Sequence, residues 1–119
     1  FIDCAMNNQT LNVMGKDEKL DFTYIEDIVE GFYRAATNKN GANNIFNITC
    51  GNSRKLLDYA IILKKYFPDL KYKILKRDDF RPVRGTLSIQ KANKLLNYKP
   101  KYNLEKGIEK YIQFKKIYN

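Results

Sequence analysis

Arg77, Arg81 and Arg84 fall close together in one stretch of the chain, and the planar fork of a guanidinium can hold two phosphate oxygens where Lys offers only a point charge. They lie within Lys71 to Lys101, where ten Lys or Arg stand against Asp78 and Asp79, so this segment carries +8 of the chain's net charge of +9. Such a concentration suits a phosphate-bearing ligand or a polynucleotide, the plainer alternative being lysines solvated on helix faces. Lys outnumbers Arg and Asn is plentiful, which reflects biased coding in part. Other chemistry is scarce. The absence of His removes the commonest zinc ligand and the commonest general acid-base residue. Cys4 and Cys50 have no metal-ligand spacing and read as two buried free thiols, which fits a reducing, cytoplasmic setting. No metal site is expected. The six glycines are scattered singly, so none of the close-set glycine turns that bring backbone up to a dinucleotide pyrophosphate is present.

These groups need a scaffold, and the pattern along the chain supplies one. Phe1 to Met6 reads as the end of an amphipathic helix. Leu11-Asn12-Val13-Met14 is a short strand before Gly15, and Asp21 to Tyr24 a second extended piece. From Ile25 the apolar positions Ile25, Ile28, Val29, Phe32, Ala35 and Ala36 recur at helical spacing to about Asn38, with Glu26 and Asp27 in the first turn. Gly31 inside that helix costs about 1 kcal/mol against Ala, a cost tolerable where another backbone packs closely against it. Asn44 to Thr49 is expected to form a strand and Ser53 to cap a rather fully apolar, buried helix from Leu56 to Phe67, stopped by Pro68. Lys71 to Lys76 reads as a strand and Lys76 to Gly85 as an irregular basic loop. Ser88 then caps a short helix to Leu96, and Asn103 caps a last helix with Leu104, Ile108, Tyr111, Ile112 and the stem of Lys115 on its apolar face.

This β-β-α-β-α-β-loop-α-α order predicts an α/β unit. At 119 residues it fits one small domain, and no stretch approaches the ~18 apolar residues of a membrane span. The expectation is a soluble chain. The sequence opens on Phe without an export signal, from which an incomplete start is inferred, and some strands are expected to complete a sheet supplied by absent residues.

Four segments in order resemble the carboxy-terminal half of the NAD-dependent epimerase/dehydratase family, the extended short-chain dehydrogenases that act on nucleotide sugars, such as UDP-glucose 4-epimerase. Val13-Met14-Gly15 followed by Leu20-Asp21-Phe22-Thr23-Tyr24-Ile25-Glu26-Asp27 is similar to the family's strand-loop-helix, which usually carries Arg-Asp-Phe-x-Tyr-Val-x-Asp. Phe46-Asn47-Ile48 to Gly51, then Leu56-Leu57, resembles its Tyr-Asn-Ile-Gly turn and helix. Arg81-Pro82-x-Arg84 leading to Lys91-Ala92-x-x-Leu95-Leu96-x-Tyr98-x-Pro100 resembles its basic loop and Asp-x-x-Lys-Ala helix, with Ser88 in place of Asp. Leu104-Glu105-x-Gly107-Ile108 is similar to its closing signature.

The resemblance implies an α/β, Rossmann-type fold of which residues 1–119 form a single carboxy-terminal substrate-binding domain fragment, the amino-terminal NAD-binding part being absent. NAD would be the cofactor of the parent enzyme, with none expected for this fragment alone. In the family a Tyr-x-x-x-Lys pair exchanges protons with the sugar. Tyr72 and Lys76, Tyr102 and Lys106, and Tyr111 and Lys115 have that spacing by count but lie beyond the segments that follow the catalytic helix, so no catalytic residue is assigned. The implied substrate is a nucleotide diphosphate sugar. Arg84 is the first choice for the phosphate contact, then Arg77, with Arg81 in the same loop, and Met14 lies where the family packs a side chain on the nucleobase. Leu20 replaces the family's phosphate-contacting Arg, so that contact is lost or moved. Asp21, Tyr24 and Asp27 are expected to position the strand-helix junction. The parent is expected to be a homodimer in the cytoplasm, with no membrane partner and the Rossmann domain as an intramolecular one.

Two other readings stand beside it. A basic nucleic-acid-binding module would use the +8 segment with Tyr72, Phe80, Tyr98 and Tyr102 as stacking surfaces, and ranks well below. The other is a relative without activity that survives as an interaction protein.

Overall fold

The computed structural model describes residues 1–118. Helix α1 (Ile2–Met6) leads into strand β1 (Leu11–Met14), and a turn at Gly15 returns the chain to the short β2 (Lys19–Leu20). Helix α2 (Ile25–Thr37), a 3₁₀ turn (Lys39–Gly41), β3 (Arg54–Lys55) and α3 (Leu56–Tyr66) follow. Strand β4 (Tyr72–Leu75) and helices α4 (Gln90–Leu96) and α5 (Leu104–Tyr118) complete the α/β order. β1 pairs in parallel with β4, Leu11 opposite Tyr72 and Met14 opposite Leu75, while β2 pairs antiparallel with β3.

Strand alternation sets the layers. Leu11 and Val13 point into the main core with Ile2 and Ala5 of α1, Ala60, Ile62 and Leu63 of α3, and Leu104, Ile108 and Ile112 of α5. A second, smaller cluster unites Ala92, Leu96 and the fully buried Tyr98 with Ala35, Phe46 and Ile48. Gly31 of α2 packs against this second cluster: a Cβ there would collide with the Ile48 side chain, so a side chain and not a backbone sets the close approach. Asp27 is buried and accepts the amide hydrogens of Lys101 at 2.8 Å and Tyr102 at 3.0 Å, tying the start of α2 to the segment that feeds α5.

Several elements differ from the sequence expectation. Residues 44–49 alternate as expected, Ile45 outward and Phe46 and Ile48 inward, yet form no strand, because no neighbouring strand among the described residues offers them a ladder. Residues 21–24 are irregular and the strand lies two residues earlier, where Lys19 and Leu20 pair with Lys55 and Arg54; Thr23 instead accepts the Cys50 amide and Asp21 the Leu87 amide through their side chains. Ser53 does not cap α3. Asp58 reaches back to the Lys55 amide instead, while Ser53 bonds Thr86. Asn103 does cap α5, its Oδ1 accepting the Lys106 amide at 3.0 Å. Cys4 and Cys50 are free but only half-buried, and burial raises the Cys50 thiol pKa. In α3, Ile61 is exposed, so that helix is less fully buried than its composition predicts. No helix among the described residues is long and apolar enough to cross a membrane.

Helix α2 buries only Asp27 and Gly31. Ile25, Val29, Phe32 and Tyr33 are each more than half exposed, and the first three recur at i, i+4 and i+7 as an apolar stripe. Phe114, Ile117 and Tyr118 are likewise exposed at the end of α5.

Candidate functional site

Because Leu11 and Val13 face the core, Asn12 and Met14 must face the other way, and they form one wall of a cavity of about 200 Å³. Leu20 and Leu56 extend the apolar floor. Parallel pairing with β4 delivers the opposite wall, since the chain leaving Leu75 passes through Arg77 into the basic loop that carries Arg81, Pro82 and Arg84. Arg77, Arg81, Arg84 and Met14 thus line one cavity, together with Leu20, the residue that departs from the family pattern.

The cavity also holds two carboxylates. Glu18 Oε1 is 2.6 Å from Arg77 Nε, and Asp78 Oδ2 is 2.9 Å from Arg81 Nε. Arg77 Nε and Asp78 Oδ2 are buried without a well-aligned hydrogen bond, so charge rather than directed bonding holds these pairs. The loop is otherwise self-braced: Asp78 Oδ1 accepts the Arg81 amide at 2.9 Å, and Arg77 Nη2 donates to the Arg81 carbonyl. Its far end is pinned by Ser53 to Thr86 at 2.7 Å and by the Leu87 amide to Asp21 at 3.2 Å. Gly15 makes the near end possible. Its φ is +76°, and a Cβ would lie 2.7 Å from Glu18 Cγ and 3.1 Å from Arg77 Cβ, so the ion pair packs against the space a side chain would fill. Arg84 is exposed and makes no ion pair among the described residues, leaving its whole fork free.

Neither Asn12 nor the counter-charges Glu18 and Asp78 were singled out from the sequence. Asn12 had a usable signal, a polar residue two positions from Met14 on the same strand face. Glu18 had none, since its partner is far along the chain.

The remaining chemistry is accounted for structurally. Tyr102 donates to Glu26 Oε2 at 2.5 Å and packs on Tyr24, Lys115 pairs with Asp3 at 2.9 Å, and the Tyr72 ring sits under Lys64. None of these tyrosines is joined to the lysine four residues on. The aromatic residues of the basic segment do not form a stacking surface either, as Tyr98 is wholly buried and donates to the Thr49 carbonyl, while Phe80 alone stands far out. No group of acidic or Cys residues among the described residues could hold a metal.

A dinucleotide would need free amides at a strand-to-helix turn rich in glycine. Here β3 runs straight into α3 without one, and the first amides of that helix are taken by the carbonyls of Glu18 at 2.8 Å and Lys16 at 3.4 Å. That junction therefore does not fit a dinucleotide pyrophosphate.

No protein-family model matches the chain. It is 38% identical over 94 residues to an uncharacterised protein of Methanocaldococcus jannaschii, covering 76% of this chain and 28% of that protein. Over 118 residues, 96% of this chain and 18% of the relative, it is 29% identical to a trifunctional UDP-glucose 4,6-dehydratase, UDP-4-keto-6-deoxy-D-glucose 3,5-epimerase and UDP-4-keto-L-rhamnose-reductase of Arabidopsis thaliana. Its fold superposes with a TM-score of 0.87 on UDP-glucuronic acid 4-epimerase from Bacillus cereus, solved with UDP-glucuronic acid and NAD, at 26% identity over 99% of this chain and 38% of that one. The chain is similar in sequence and in fold to nucleotide-sugar epimerases and dehydratases. Its fold is the carboxy-terminal part of the extended short-chain dehydrogenase fold, spanning between about a fifth and two fifths of these relatives. Within that family fold, the β1–β4 pair and the loop after β4 are the elements that build the arginine cavity.

Proposed function

We infer that this chain, residues 1–119, is the single substrate-binding domain of an NAD-dependent nucleotide-sugar epimerase or dehydratase. One observation carries the reading: three arginines and a thioether converge on one cavity, the combination a nucleoside diphosphate requires. Arg84 is assigned the diphosphate, since its guanidinium is uncommitted, with Arg77 and Arg81 beside it and Met14 against the base. Arg77 lines the same cavity as Leu20 and makes up for the cation that Leu20 does not supply. The chain's share of the work is to bind and orient the sugar nucleotide.

The parent reaction of the family is transient hydride transfer between sugar and NAD. NAD and the catalytic Tyr-x-x-x-Lys pair belong to an amino-terminal Rossmann domain, which this chain does not contain and cannot replace. That domain is assigned the apolar stripe of α2, which has the spacing of a buried helix face and no cover among the described residues. The parent is read as a cytoplasmic homodimer.

Calorimetry on the full-length protein with UDP and thymidine diphosphate sugars tests the assignment. Arg84→Ala removes a charge-assisted contact of about 1.5 kcal/mol or more and should weaken binding about ten-fold. Unchanged affinity would sink it.

A further inference from the structure

We propose that Glu18 sets the charge preference of the arginine cavity, favouring a diphosphate diester such as a sugar nucleotide over a free nucleoside diphosphate; this rests on reading the cavity as a diphosphate site. Glu18 does not belong to the loop it faces. It reaches across from the turn between β1 and β2, its carbonyl is fixed by the Leu56 amide at 2.8 Å, and its carboxylate lies 2.6 Å from Arg77. The Glu18–Arg77 pair is the wall shared by the arginine cavity and a neighbouring hollow of about 370 Å³ that opens past Gly15 and Ile74. Asp78, in contrast, closes on Arg81 three residues away and braces the loop from within.

Three arginines against Glu18 and Asp78 leave the cavity with a formal +1. A pyrophosphate diester brings two negative charges, whereas a free nucleoside diphosphate brings close to three, because the second ionisation of a terminal phosphate falls near pH 6. Glu18 is a fixed negative charge one guanidinium behind the ligand. At about 8 Å and an effective dielectric constant of about 40, it opposes the additional charge by a factor of about five.

The experiment is calorimetry on the full-length protein with UDP and UDP-glucose as probes. Glu18→Gln should tighten UDP about five-fold more than UDP-glucose, and Glu18→Asp, which keeps the charge, should retain the wild-type ratio of the two affinities. An unchanged ratio in Glu18→Gln, or an equal shift in Glu18→Asp, overturns the proposal. Asn12→Asp adds a carboxylate to the opposite wall and should move the ratio the other way. A ratio that stays put there overturns it even where Glu18→Gln does not fold. Arg84→Ala run alongside separates the two claims: loss of affinity with no ratio shift at Glu18 rejects this inference alone, and no loss rejects the diphosphate reading itself.

Discussion

Removing the Asp27 carboxylate should unfasten α2 from the start of α5. Asp27 is 2% exposed and accepts two backbone amides, from Lys101 and Tyr102, at 2.8 and 3.0 Å. Each is a hydrogen bond to a charged acceptor, worth about 1.5–3 kcal/mol, and losing the acceptor leaves two part-buried donors without their partner. Asp27→Ala should therefore cost about 3–5 kcal/mol. Asp27→Asn keeps one carbonyl acceptor and replaces the other oxygen with a donor facing an amide, so it should cost nearly as much. Against a typical stability of about 5–15 kcal/mol, that is a large fraction of the total. Thermal melting of the full-length protein followed by circular dichroism measures the loss, and hydrogen exchange localises it to the amides of Lys101 and Tyr102. A loss below about 1 kcal/mol with both amides still protected would refute the argument that this carboxylate is a backbone clamp.

Alkaline pH should destabilise the chain through two phenols, the buried Tyr98 and the half-buried Tyr59. Burial pushes the pKa values of Tyr59 and Tyr98 up to about 12, above the ordinary value of 10, so the folded state keeps protons that the unfolded state releases. Their contribution is complete below pH 10 and is lost as pH rises from 10 towards 12; Tyr98→Phe should flatten that dependence while losing the bond to the Thr49 carbonyl, and a wild-type stability flat across this window would contradict it. The 119-residue chain on its own should self-associate through the α2 stripe, and Val29→Lys with Phe32→Lys should restore a monomer in sedimentation velocity. A monodisperse wild-type monomer would show that the stripe needs no cover.

The sequence made the helices legible because their periodicity is local: α2, α3 and α5 begin and end close to where the apolar spacing, Pro68 and Asn103 place them. The start of α2 was legible too, including the expectation that Asp27 positions the junction, but the strand before it lies two residues earlier than its pattern suggests. The four candidate residues, Met14, Arg77, Arg81 and Arg84, do meet in space. What local pattern could not show was pairing at a distance. Residues 44–49 have strand alternation without a partner strand, Ser53 turns to Thr86 in preference to the helix it precedes, and Glu18 acquires its role only when β4 brings Arg77 beside it. Tyr98 was misjudged as a potential stacking surface because its basic neighbours suggested exposure, whereas the chain folds it into the second core.

The parallel pairing of β1 with β4 has a consequence for the order of events during synthesis. Antiparallel neighbours zip from a tight turn, but these two strands are separated in sequence by β2, α2, β3 and α3, so closing them requires most of the chain. A nascent polypeptide still short of Leu75 has Met14 and Glu18 but neither the complete strand that pairs with β1 nor the arginines beyond it. The arginine cavity is therefore completed late in folding, and a ribosome-bound chain ending before the basic loop does not yet have it.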